Sequence, residues 1–278
     1  QGPSFTKLYP NDLIIGVVLE EDPLYFEDLE VGETSTSYLK GNVGDVKSLI
    51  VLQPDLEEVV INITYEEILT PTAYAKSIDT DIAYIKIAEF SSYIEGVSEG
   101  TAKVFSDVLN NLEEDTLLND GDTLILDLRN NPGGALTALS NKNSNGLIPG
   151  IMQQLIIKNV EAPMFSMVNK NNLKEDYYGG LSQQKPYDIK VLINENSASA
   201  AEVLAAGLNI NGGYDLYGNF SYGKSVYQNT TLLQTINSVR YYLTYTEGSW
   251  LYDGDKKISD HPLNVNLLEQ SGYNDIYR

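Results

Sequence analysis

Two residues in this chain of 278 have the types and the setting for nucleophile and base, Ser199 and Lys224. Ser199 lies in NENSASAAEVLAAGL, after the β-type apolar run at residues 191–193 and before a helix-like segment of Ala, Leu and Val. A serine at a strand-to-helix turn points outward beside unpaired backbone N–H groups, and the N–H of Ala200 is placed to stabilise an oxyanion. The same letters also spell an ordinary helix start, because Ser199 and Glu202 fit the S-x-x-E capping box. Lys224 sits in GNFSYGKSVYQ, flanked by glycine and uncharged neighbours. As a general base it must be uncharged, so its pKa must fall from about 10.4 towards 7 or 8. Gln228, four residues on, could orient the amine by hydrogen bonding, as the third member of a triad orients its base.

Composition narrows the choice of base. The chain has one histidine, His261, and no cysteine. A zinc site of two or three histidines, a thiolate site and a cysteine nucleophile are thereby excluded, and a Ser-His-Asp arrangement could use only His261. That residue stands in SDHPL beside a proline and reads as a turn histidine. A lysine is then the better base for an activated serine, and no cofactor or metal is implied. The formal charge of −21 argues against nucleic acid or an anionic membrane as a partner. No run of about 18 apolar residues is present to span a bilayer.

Two further stretches carry functional and plain readings side by side. Asn130-Asn131-Pro132-Gly133-Gly134 follows an apolar strand and is composed of turn dipeptides. Functionally, its glycine N–H groups could face an oxyanion from the side opposite Ala200, with Asp127 and Arg129 flanking it and pairing with each other. Residues 218–225 match G-x-x-x-x-G-K-S letter for letter. A phosphate-binding loop of that pattern needs a helix after the lysine, whereas VYQNTTLLQTI reads as a strand.

The elements that must hold these residues follow from periodicity. Residues 82–90 alternate as a strand, residues 101–113 carry an apolar stripe at helical spacing, and residues 124–128 form a short apolar strand expected to be buried on both faces. Strand, helix and strand in that order predict a parallel or mixed sheet covered by helices. A helix near residues 149–155 and a strand near 164–168 are expected, then antiparallel Thr- and Tyr-rich strands with turns at Asn237-Ser238 and Asp253-Gly254. Residues 69–81, with Pro71 and several Thr and Ser, read as a linker, and residues 20–33 as a solvated acidic loop. Residues 1–66 read as a small β-rich module, or else as an extension of the main sheet.

LILDLRNNPGG, NENSASAAE and YGKSVYQ, in this order over about 105 residues, resemble the C-terminal processing (tail-specific) peptidases, serine peptidases of the S41 type with a Ser-Lys dyad. The resemblance implies an α/β core with a mixed sheet covered by helices, in a crotonase-like or ClpP-like arrangement, over residues 67–278. It implies Ser199 as nucleophile, Lys224 as base at the family's 25-residue spacing, Gln228 steadying the lysine, and backbone N–H groups of Ala200 and of Gly133 or Gly134 as the oxyanion hole. Ser197 then becomes a turn residue. Four features depart from the pattern: Ile210 stands where some members place an aspartate, Tyr222 replaces Phe, Ser225 replaces Gly, and DHPL stands where many members have a GIxPD ending.

LYPNDLII and LKGNVGD are similar to segments of the PDZ domain that commonly precedes such a core, so residues 1–66 are expected to be a partial PDZ-like module. The resemblance further implies hydrolysis of protein or peptide substrates near their C-termini, outside the cytoplasm, by a protein whose membrane anchor precedes these residues. A catalytically latent peptide-binding protein shares every motif but the activated lysine. A P-loop nucleotide-binding protein is the remaining alternative.

Overall fold

The computed structural model describes residues 7–9, 11–20, 22–66, 71–96, 98–141, 148–236 and 239–268. The chain divides into two compact units, Gln1–Thr70 and Pro71–Arg278.

The first unit is an antiparallel sheet of β1 (Leu13–Leu19), β2 (Asp22–Tyr25), β3 (Val46–Leu52) and β4 (Glu58–Thr64), in the order β2-β1-β3-β4. A four-residue helix, α1 (Ser35–Tyr38), lies between β2 and β3 in sequence. Its core is small, with Val17, Leu49 and Val51 buried. The acidic stretch read as a loop contains β2, an exposed edge strand that accommodates Pro23 because one side of an edge needs no N–H donor.

The second unit is built on a six-stranded sheet. Its members are β5 (Ala73–Asp79), β6 (Ile82–Ile87), β7 (Thr123–Asp127), β10 (Asp188–Ile193), β11 (Leu216–Gly218) and β14 (Asn266–Leu267), in the order β14-β11-β10-β7-β6-β5. All neighbours run parallel except β5 with β6. The linker expected at residues 69–81 is therefore corrected in part: β5 pairs with β6 across a tight turn. Its alternation, with Ala73 buried and Tyr74 exposed, is interrupted by polar residues and becomes a strand only because β6 offers an edge. β7 also departs from expectation, since Leu124 and Leu126 are fully buried while Ile125 is half-buried.

Helix α2 (Thr101–Glu114) buries Phe105, Leu109 and Leu112, the stripe read from the sequence. Helices α3 (Ile151–Leu155) and α4 (Ala200–Ile210) meet where Gly207 admits the Met152 side chain; a Cβ there would stand 2.0 Å from Met152 Cε. α4 is buried on all sides from Ala200 to Leu208, which accounts for its continuous run of small and apolar residues. A third sheet comprises β8 (Phe165–Asn169), β9 (Lys174–Tyr177), β12 (Val226–Ile236) and β13 (Val239–Leu251), in the order β12-β13-β8-β9. The turn expected at residues 237–238 lies outside the described residues, whereas Asp253 and Gly254 form theirs with positive φ.

Candidate active site

Ser199 occupies the junction between β10 and α4 with φ 55° and ψ −117°, a region that non-glycine residues enter only under local constraint. Three contacts impose it. Ser197, fully buried, donates its hydroxyl to Leu128 O (2.8 Å) and accepts from Asn194 N–H (3.0 Å), and the Ala198 N–H donates to Asn131 O (3.0 Å). The turn is thus bonded to the chain leaving β7 immediately before Ser199. The serine side chain makes no cap hydrogen bond to the helix. The first turn is secured from elsewhere, because Glu202 N–H donates to Ser199 O (2.9 Å) and the Glu202 carboxylate accepts the Ser199 N–H (2.8 Å).

Glu202 is the residue that sequence reasoning undervalued. Its side chain is completely buried. Besides the Ser199 N–H, it accepts the Ser221 hydroxyl (2.7 Å), the Gly223 N–H (2.6 Å) and the Lys224 N–H (2.9 Å). One carboxylate therefore holds the backbone of Ser199 and the backbone of Lys224 at the same time. From sequence, the S-x-x-E spacing gave only a cap; the second half of the contact reaches about 20 residues along the chain and has no local signature. The Lys224 carbonyl is held in turn by Nε1–H of the buried Trp250 (2.7 Å), and Tyr222 N–H donates to Ser197 O (3.0 Å).

These contacts dispose of the phosphate-loop pattern. β12 begins at Val226, so a strand follows Lys224, and the N–H groups of Gly223 and Lys224 are already bound to a carboxylate. An anion there would meet an acidic group in place of a helix N-terminus.

The turn after β7 approaches Ser199 closely. Gly133, with φ 101°, packs so tightly that a Cβ would stand 2.7 Å from both Ser199 Cβ and Ala198 O; at Gly134, with φ 133°, it would stand 2.0 Å from Phe90 O. Only glycine fits either position. Gly133 N–H donates to Asn131 Oδ1 (2.8 Å), while buried Asn131 also donates Nδ2–H to Ile87 O (3.0 Å). Of the two glycines named from the sequence, Gly134 is the one whose N–H donates to nothing among the described residues, as is also true of Ala200.

A buried ionic cluster supports that turn from beneath. Asp127 accepts from Arg129 N–H (2.8 Å), Arg129 Nε (3.0 Å), Arg129 Nη2 (2.7 Å) and the Tyr84 hydroxyl (2.7 Å), with Lys86 Nζ at 3.3 Å. Burial opposes ionisation of Asp127, but the bonds from Arg129 and Tyr84 and the Lys86 charge outweigh it and hold its carboxyl below the usual range. Lys86 is lowered by burial, against the pull of Asp127. Lys86 also donates to the Arg129 carbonyl, and Asn194 bonds both Asn130 N–H (2.8 Å) and Asn130 Oδ1 (2.9 Å).

Ser199, Lys224, Gln228 and Gly134 all line one cavity of about 570 Å³. Among the described residues no hydrogen bond joins Ser199 Oγ, Lys224 Nζ and Gln228, and no carboxylate lies within 4.0 Å of Lys224 Nζ. Ile210, where an acidic partner was in question, is exposed near the end of α4, and His261 is exposed in a turn whose backbone N–H donates to Lys257 O (2.9 Å). Neither lines the cavity.

The model of peptidase family S41 matches residues 81–264. This chain belongs to peptidase family S41. It is 27% identical over 252 residues to the carboxy-terminal processing protease CtpB of Bacillus subtilis, covering 88% of this chain and 47% of that protein. It is 28% identical over 201 residues to the carboxyl-terminal-processing protease of Picosynechococcus sp., covering 70% and 43%. The chain thus spans about half the length of the curated relatives it matches. In structure, this S41 chain is similar to the photosystem II D1 C-terminal processing protease, with a TM-score of 0.54 at 16% identity, over 96% of this chain and 65% of that one. A lipoprotein from Streptococcus agalactiae aligns with a TM-score of 0.53 at 18% identity, over 72% of this chain and 66% of that one. Both likenesses show a shared mixed α/β fold.

Proposed function

We propose that this protein is a serine endopeptidase that hydrolyses peptide bonds of protein or peptide substrates near their C-termini through an acyl-enzyme. The observation that carries the proposal is the strained Ser199, whose backbone and that of Lys224 are held by one buried carboxylate at the edge of one cavity. In the reaction, uncharged Lys224 takes the hydroxyl proton of Ser199 and the oxygen attacks the peptide carbonyl. The N–H groups of Ala200 and Gly134 receive the negative charge that develops on the carbonyl oxygen. Lys224 then gives its proton to the leaving amine; the uncharged Lys224 next takes a proton from water, the hydroxide attacks the acyl carbonyl, and the proton returns to Ser199 Oγ as the acid is released. Gln228, on the cavity wall, aligns the amine once substrate is bound.

The absence of a hydrogen bond between Ser199 and Lys224 supports a resting form that substrate completes, since catalytic contacts commonly tighten only in the bound complex. It equally favours the second reading, a latent peptide-binding protein. The two separate in one experiment. Incubation with a slowly deacylating peptide ester should add one acyl mass to the wild-type chain and none to Ser199→Ala or Lys224→Met, and unfolded protein substrate should be cleaved only by the wild type. Substrate bound but unchanged by the wild type overturns the peptidase reading. Residues 1–66 are taken as a partial PDZ-like module, and residues 67–278 as the peptidase core; the site of action is taken as extracytoplasmic, in keeping with the lipoprotein named above.

A further inference from the structure

Among the residues lining the Ser199 cavity, one carboxylate occurs, that of Glu247. It is half-buried, and it makes no hydrogen bond or ion pair with the described residues. Its position is no accident of an exposed strand. In the β12–β13 pairing, Tyr227 faces Gly248 and Gln228 faces Thr246, so Glu247 is the extra residue of a β-bulge. A bulge re-aims a side chain that regular pairing would have sent to the other face. Its backbone is fixed by Lys170 N–H, which donates to Glu247 O (3.1 Å).

The wall beside it is aromatic. Tyr177 and Tyr227 line the same cavity, and the Tyr227 ring fills the space over Gly248, where a Cβ would stand 2.8 Å from Tyr227 Cε1. Tyr177 donates its hydroxyl to Glu175 (3.0 Å). Burial first, then the nearby Glu247 and Glu175 carboxylates, push the Tyr227 hydroxyl above its ordinary value. Phenol rings receive the methylene stem and the positive head of a long cationic side chain, and a partly desolvated carboxylate receives the head with a charge-assisted bond.

We infer that Glu247 is a specificity-determining residue, and that the cavity accepts a lysine or arginine side chain of the substrate next to the scissile bond. The inference deepens the serine-peptidase reading and rests on it. A site built around a partly desolvated carboxylate discriminates against a substrate that leaves that group without a partner. A charge-assisted contact of this kind corresponds to a preference of about 10- to 100-fold.

The test uses peptide pairs identical except at one position near the cleavage site, with lysine in one member and norleucine or glutamate in the other. Wild type should cleave the lysine member with a kcat/KM about 10- to 100-fold higher at one position. In Glu247→Gln the preference should shrink to within about threefold, and in Glu247→Lys it should turn towards glutamate. An unchanged preference in Glu247→Gln overturns the inference. So does cleavage without a basic preference at any position, and that result leaves the peptidase reading standing. If no peptide is cleaved, the peptidase reading falls, and the Kd of the same pairs for the Ser199→Ala chain decides the subsite alone. Equal affinity for lysine and norleucine members then overturns it, and tighter lysine binding that Glu247→Gln abolishes supports it.

Discussion

Replacing Glu202 by glutamine keeps size and shape and removes half of its accepting capacity. The carboxylate accepts four hydrogen bonds, at 2.8 Å from Ser199 N–H, 2.9 Å from Lys224 N–H, 2.6 Å from Gly223 N–H and 2.7 Å from the Ser221 hydroxyl. An amide can keep the pair on one oxygen, Gly223 and Ser221, but its NH2 must then face the N–H groups of Ser199 and Lys224, donor against donor. Hydrogen bonds to a carboxylate contribute roughly 1.5–3 kcal/mol each, so losing two removes about 3–6 kcal/mol from the turn that positions both residues. Part returns by relaxation, which moves the Ser199 and Lys224 backbones apart. A displacement near 1 Å lowers turnover on the order of 100-fold. The expected result for Glu202→Gln is a kcat about 100-fold lower with KM within a few-fold of wild type, and a melting temperature lowered by on the order of 10 °C. The assay is steady-state hydrolysis of a fluorogenic peptide below the melting transition, with circular dichroism on the same samples. A purely structural role would lower stability and leave kcat per folded molecule intact. A folded Glu202→Gln chain with kcat within about threefold of wild type would refute the reasoning.

Other consequences follow from the same contacts. Gly134→Ala places a Cβ 2.0 Å from Phe90 O; the loop must shift, and acyl-enzyme formation measured by mass should be lost before the fold is. Asp127→Asn removes the carboxylate that binds Arg129, Tyr84 and Lys86, and chemical denaturation should register a loss of about 3–5 kcal/mol. Because the Asp127 carboxyl is depressed in the folded state, its contribution is fully present above the unfolded value of about 3.9 and declines as pH falls through the folded value. Acid-unfolding curves of wild type and Asp127→Asn should therefore converge at low pH. Trp250→Phe leaves the Lys224 carbonyl without its 2.7 Å donor; a stability loss of about 1–3 kcal/mol is expected, with a larger fractional fall in kcat than in substrate affinity.

How much of this was legible beforehand depends on the range of the contact. The stripe of Phe105, Leu109 and Leu112 specified α2 because helical periodicity is local. The strand after Lys224 was legible for the same reason, and it removed the nucleotide reading. β5 was misread as linker because Thr72, Ser77 and Pro71 look like loop residues until β6 supplies a pairing edge. The Glu247 bulge is a mismatch between two strands and cannot be seen in either alone.

The sequence by itself determined which residues are available for chemistry: one histidine, no cysteine, a serine before a helix, a lysine between glycine and a strand, and a pair of glycines after a buried strand. Those are properties of residue type and local conformation, written in short stretches. Only the tertiary structure decided that Ser199 takes a positive φ, that Gly133 N–H is engaged by Asn131 while Gly134 N–H is left, and that Glu202 joins the nucleophile turn to the lysine strand. Each depends on donors and acceptors from segments that meet only when the sheet and α4 pack. A buried polar group must take whichever partner the fold brings to it.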